Sequence, residues 1–318
     1  MRAGLRGVLV AALALAVLAG CGGDGARRFS GDRPTDAGGG GELAYAIAAD
    51  PGDLDPLHAE TVSAQIVARQ VFEPLLASLD GPYGEALDRA GLALAFEPSG
   101  DFRVWSFQLR SGVRFQDGSP FNGAAVVANV ERWLSDPIGQ QLLPGLVAAD
   151  APRPNLVRLI LALPDRRLPQ RLADSRLGLA SPPVLPDEGE PGAPLQRTAR
   201  AGSGPFQLFG EGVATVELGR YHGWWGSTFG LGPALDSISF RIVADDRERA
   251  RLLEDASVRV AAELPRQLAV PLISDPLLSV VGMGSGSAVG FERSVRGITT
   301  ARPASLSGVW IAVLTEGG

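Results

Sequence analysis

Three short stretches of this 318-residue chain hold the side chains best suited to bind another molecule. Asp53, Asp55 and His58 would gather two carboxylates and an imidazole in one loop. Asp55 also precedes Pro56, so it could equally be a turn residue, and His58 could simply cap the helix that follows. Ser203 stands between Gly202 and Gly204, and such small neighbours let backbone N–H groups approach a carboxylate. Trp224 and Trp225 could stack on a ligand, although one indole in the core and one half exposed is the commoner outcome. Catalysis has little to work with. There is one cysteine, Cys21, and the two histidines, His58 and His222, are far apart. No GxxxxGK, HExxH or GxSxG occurs, and no cluster of His, Cys and carboxylates has metal-ligand spacing. The residues point to a binding protein that is not an enzyme and uses no cofactor or metal.

The elements that must position these residues follow from hydrophobic period. Glu42 to Ala49 reads as a strand and Thr61 to Phe72 as a helix, with Val62, Ile66, Val67 and Val71 on one face and Pro74 beyond its end. Tyr45, on that first strand, reads as core before site. In Arg103 to Leu109, Trp105, Phe107 and Leu109 share a face at period two, and a short hairpin is expected to follow through Asp117-Gly118. Gly123 to Ser135 is a helix that Asn122 can cap, with Phe121 stapled to Val126. Leu156 to Leu163, Phe206 to Phe209, Ala214 to Gly219 and Ile238 to Val243 read as strands, and Pro182 to Pro194 as an exposed loop. Asp246 to Glu254 reads as a helix with a solvated charged face. Strands at Val258 to Ala262, Ser279 to Met283 and Gly308 to Leu314 close the chain.

Cys21 belongs to a different kind of segment. Arg2 and Arg6 precede an apolar run, Val8 to Ala19, too short to span a bilayer and followed by small residues. This is the layout of a secretory signal, and Leu18-Ala19-Gly20-Cys21 resembles the lipobox of bacterial lipoproteins. The resemblance implies a signal peptide over 1–20, an acylated Cys21 and an anchor on the outer face of the cytoplasmic membrane. Gly22 to Gly41 has almost no large apolar residue, so 21–41 is expected to be a flexible tether. That leaves about 275 residues, enough for one large domain or two smaller ones. The formal net charge is −6, and losing Arg2 and Arg6 with no acid takes it to −8. An acidic surface argues against nucleic acid as a partner.

Five blocks, in order, resemble the extracellular solute-binding proteins of family 5, the dipeptide, oligopeptide and nickel-type receptors of ABC importers. They are Asp50-Pro51-Gly52-Asp53-Leu54-Asp55-Pro56, Val71-Phe72-Glu73-Pro74-Leu75, the run from Trp105 to Phe121, Gly202-Ser203-Gly204-Pro205-Phe206, and Tyr221-His222-Gly223-Trp224-Trp225-Gly226. The resemblance implies a mixed α/β lobe, a twisted sheet flanked by helices, over 42–318, with a smaller hairpin-rich section from Leu92 to Leu185. Family members carry a second lobe, and here the expected crossing strand (Leu277 to Phe291) runs into a closing segment over 294–314. The second lobe is therefore expected to be absent, with the junction near Phe291 to Ser294. The implied function is to bind a peptide or similar small solute and deliver it to ABC permease subunits. The implied ligand-binding residues are Asp53, Asp55, His58, Ser203, Trp224 and Trp225. The alternative is a single-lobe interaction or sensor lipoprotein that no longer delivers solute.

Overall fold

The structure is a computed structural model that describes residues 40–76, 91–186, 193–195, 201–229, 233 and 235–272, with residues 278–283 and 309–314 described as backbone strands. Cys21, the expected signal, the expected tether up to residue 39 and the expected junction at Phe291 to Ser294 lie outside the described residues. Strands β1 (Glu42–Ile47), β6 (Phe206–Glu211), β7 (Thr215–Arg220), β8 (Ser237–Ile242), β9 (Val260–Leu264), β10 (Leu278–Met283) and β11 (Val309–Leu314) form one mixed sheet, ordered β10–β11–β9–β1–β8–β7–β6. A second sheet, β2 (Ala93–Pro98), β3 (Val104–Leu109), β4 (Leu146–Arg153) and β5 (Leu156–Leu161), is antiparallel with order β2–β3–β5–β4. The helices are α1 (Val62–Val71), α2 (Gly123–Ser135), α3 (Pro137–Leu142), α4 (Leu168–Arg171), α5 (Asp246–Glu254) and α6 (Arg266–Leu272). Among the described residues, no helix is long and apolar enough to cross a membrane.

The pleat of β1 explains the layers. Leu43, Tyr45 and Ile47 point to one face and pack with Val67 and Val71 of α1, whereas Ala46 on the other face meets Leu253 of α5 and Ala269 of α6. Small residues on the second face let α5 and α6 lie close, so this strand is covered on both sides. β1 runs parallel to β8 and to β9. The chain leaves β8, forms α5, and returns as β9 on the opposite side of β1. The carboxyl end of β1 is thus the point at which the parallel connections part, the place where open α/β sheets take ligands.

The smaller sheet has one buried face. Trp105, Phe107 and Leu109 of β3 and Val157, Leu159 and Leu161 of β5 point into a core that α2 closes with Val126, Val130 and Trp133. Asn122 caps α2, its side-chain oxygen accepting from the Ala125 amide at 3.0 Å, and Phe121 and Val126 are buried in the same cluster. Helices α2 and α5 have the bounds their periodicity predicts, and the predicted strands end within two residues of those observed. The Asp117-Gly118 turn forms with Gly118 at φ 87°, but only a single Arg114–Pro120 bridge flanks it. β2 and β4 escape the periodicity because both are largely exposed and carry Ala and Pro, so ladder bonds to β3 and β5 hold them. Pro182–Val184 is a short 3-10 turn rather than open loop.

Candidate functional site

The carboxyl end of β1 is built around Glu263. Opposite β11, the pairing of β9 shifts between Leu264 and Ala261, leaving one extra residue on β9, and Glu263 there has φ 58°. A bulge re-aims a side chain out of the strand's alternation, and a non-glycine residue in the left-handed region is kept only where its surroundings hold it. The Glu263 carboxylate accepts from the Ser63 hydroxyl and, through the same Oε1, from the Ala48 amide at 3.4 Å. Ser63 is fully buried in the first turn of α1 and accepts in turn from the Ala49 amide at 3.1 Å. The neighbouring cation, Arg249, acts on this carboxylate through its charge but makes no ion pair with it. Arg249, buried within α5, donates to the carbonyls of Val243, Ala244, Ala262 and Glu263 at 2.7–3.0 Å. It therefore caps the carbonyl ends of β8 and β9. The charged face predicted for this helix is solvated except here, because those carbonyls need a donor away from water.

The loop from β1 to α1 brings the first three predicted site residues together. Asp53 accepts from the Asp55 amide at 3.1 Å, and between them Leu54 is buried at φ 60°. Asp55 is 1% exposed; it pairs with Arg132 of α2, touches His58 Nδ1 at 3.0 Å, and accepts from the Leu57 and Leu195 amides. His58 Nε2 reaches Asp136, the cap of α3, at 2.9 Å. Burial alone would raise the Asp136 carboxyl, but hydrogen bonds from His58 and the Ile138 amide outweigh it and hold it below the ordinary range. These charges pin the loop to α2 and α3. Arg132 and Asp136 went unread because each looks like an ordinary exposed charge near a helix end.

Ser203, Trp224 and Trp225 also converge, at the other end of α1, about 15 Å away by helix rise. Their common partner is Glu73. Its Oε2 accepts from the Ser203 hydroxyl and the Trp225 indole, both at 2.9 Å, and Oε1 from the Trp224 indole at 3.3 Å. Burial pushes this carboxyl up to about 7, although the three hydrogen bonds and the charge of Arg110 act the other way. The Arg110 guanidinium lies 4.0 Å over the Trp225 ring and 5.2 Å from the exposed Phe229 ring. The flanking glycines serve the packing here: a Cβ on Gly202 would stand 1.8 Å from the Val71 carbonyl oxygen, and the Gly204 amide donates to that oxygen at 2.9 Å. Glu73 was missed, and its one signal is a lone acid in the apolar run Val71-Phe72-Glu73-Pro74-Leu75.

Among the described residues, no group of three or more His, Cys, Asp or Glu side chains could hold a metal ion. The site's resources are hydrogen-bonding groups at the carboxyl ends of β1 and β9 and an aromatic-carboxylate node at the base of α1.

Comparison with known proteins gives consistent results. The family model described as "Bacterial extracellular solute-binding proteins, family 5 Middle" matches residues 89–299. The glutathione-binding protein GsiB of Escherichia coli O1:K1 / APEC is 30% identical over 236 residues, 73% of this chain and 44% of that protein. NikA from Brucella suis, solved with Fe(III)-EDTA, superposes with a TM-score of 0.65 at 23% identity over 76% of this chain and 48% of that one. The ABC transporter-associated periplasmic binding protein DppA from Helicobacter pylori, solved with the peptide STSA, gives 0.61 at 20% identity, over 76% and 50%. The chain thus spans about half the length of the relatives it matches.

Proposed function

The chain belongs to family 5 of the bacterial extracellular solute-binding proteins, and from that premise we propose that it is the solute-receiving component of an ABC importer. It takes short peptides or solutes of similar size outside the cytoplasmic membrane and presents them to permease subunits, binding without catalysis. Cys21 anchors it to that membrane through lipid. The observation that carries this reading is the carboxyl end of β1. There the parallel connections part, and a bulged glutamate and a buried serine meet the backbone of Ala48 and Ala49, just before the 50–60 loop. Solute in this reading lies against that loop. Asp53 caps its turn, Asp55 and His58 hold it to the smaller sheet, and Ser203, Trp224 and Trp225 fix the base of α1 through Glu73.

The peptide class is supported by the relatives, one of them named for glutathione and one solved with a peptide. The alternative, an interaction or sensor lipoprotein, draws on Phe209 and Val213, which stand exposed on β6 and in the turn to β7. A thermal-shift titration of the full chain against glutathione, trialanine and a pool of tetrapeptides separates the two. A bound solute raises the melting temperature in proportion to RT ln(1 + [L]/Kd). A dose-dependent rise supports the receptor. No shift at millimolar solute, in a chain that melts cooperatively, contradicts it and favours the alternative.

A further inference from the structure

Glu263 is an unexpected residue at its position. Left-handed backbone at a bulge is ordinarily given to glycine, which has no Cβ to strain. A glutamate is held there instead, and the strand is not short of other polar anchors, since Arg249 already satisfies the carbonyls of Ala262 and Glu263. What the glutamate adds is a carboxylate at the carboxyl end of β1. Only one of its oxygens, Oε1, is engaged, by Ser63 and Ala48. Among the described residues, Oε2 has no hydrogen-bond partner and the carboxylate no ion-pair partner. The side chain is half-buried, so the free oxygen meets solvent at the point where the connections part.

The geometry points to Glu263 as the group that receives a cationic end of the solute, a primary ammonium in the first instance. This deepens the receptor reading and rests on it. Ser63 and the Ala48 amide fix the carboxylate by one oxygen, and the bulge aims it away from the strand's own alternation. Oε2 is left to accept N⁺–H hydrogen bonds from an ammonium without first breaking an ion pair. Arg249 feels this charge but spends its own donors on backbone carbonyls. The preorganised acceptor means that little ordering is needed when solute arrives. A purely structural role is also available to this residue, because its carboxylate sits beside the first turn of α1, where negative charge is favourable. That role would leave discrimination between solutes untouched.

The test is titration calorimetry on the full chain with two matched pairs, glutathione against N-acetyl-glutathione and trialanine against N-acetyl-trialanine. Acetylation removes the ammonium charge and leaves the rest of each molecule in place. The expected preference for the free amine is about 10- to 100-fold, the usual range for a hydrogen bond to a charged group. Glu263→Gln should lose that preference. Glu263→Gly suits the left-handed backbone, so it supplies a second variant that folds, and it should lose the preference as well. Equal affinity of the wild-type chain for both members of a pair, or a preference that survives in both variants, would overturn the assignment and leave the receptor reading standing. Failure of the wild-type chain to bind any of the four would overturn both.

Discussion

Replacing Glu73 by glutamine should flatten the pH dependence of this protein's stability. The folded chain holds the Glu73 proton up to about pH 7, against an ordinary value of 4.5. Between those values the folded state binds more protons than the unfolded chain, so stability falls as pH rises through the window and levels off above it. Each pH unit contributes at most about 1.4 kcal/mol, which over the window gives about 3 kcal/mol. Glu73 keeps part of its surface in solvent, and screening lowers the expected fall to roughly 1–3 kcal/mol. Glu73→Gln has no charge to bury. Its amide would keep one oxygen for Ser203 and Trp225 and turn its nitrogen to the Trp224 indole, losing a long hydrogen bond at about 1 kcal/mol. That loss is the same at every pH, so it offsets the curve without tilting it. Urea unfolding of both proteins at steps from pH 4.5 to 8.5 measures the difference directly, because all other titrating groups cancel. The wild type should lose roughly 1–3 kcal/mol relative to the variant across the series. Parallel curves would refute the claim that this carboxylate is buried at a cost.

Three further changes probe the frame around the site. Gly202→Ala would place a Cβ 1.8 Å from the Val71 carbonyl oxygen; it should lower stability by about 3 kcal/mol or more, read by thermal melting. Asn129 is fully buried and bridges α2 to Ala180 by bonds in both directions; Asn129→Ala should cost about 2–3 kcal/mol by urea unfolding. Asp55→Asn leaves Arg132 without its carboxylate and loosens His58. It should cost about 3–5 kcal/mol and raise proteolysis in the 50–60 loop, as seen by mass spectrometry of the fragments.

Much of the frame was legible because local signals and tertiary packing agree. Asn122 before an apolar stripe gave α2, and Trp105, Phe107 and Leu109 gave β3 with the face that is buried. The site was legible in its parts and not in its connections. Ser203, Trp224 and Trp225 stood out as residues able to bind, but the carboxylate they share is 130 residues or more away in sequence. Composition says nothing about such a meeting. Glu263 was the hardest to foresee, since a bulge is a property of two paired strands and β9 alone shows only a glutamate in an apolar run. Arg249 was hidden the same way: it lies in a helix whose other charges face water.

The most direct test of where solute binds is hydrogen–deuterium exchange of the full chain with and without saturating glutathione. The account predicts slower exchange across residues 48–63 and 258–264, at the carboxyl ends of β1 and β9. Protection confined to the segments around Ser203 and Trp224–Trp225 would place the solute at the other end of α1 and contradict it.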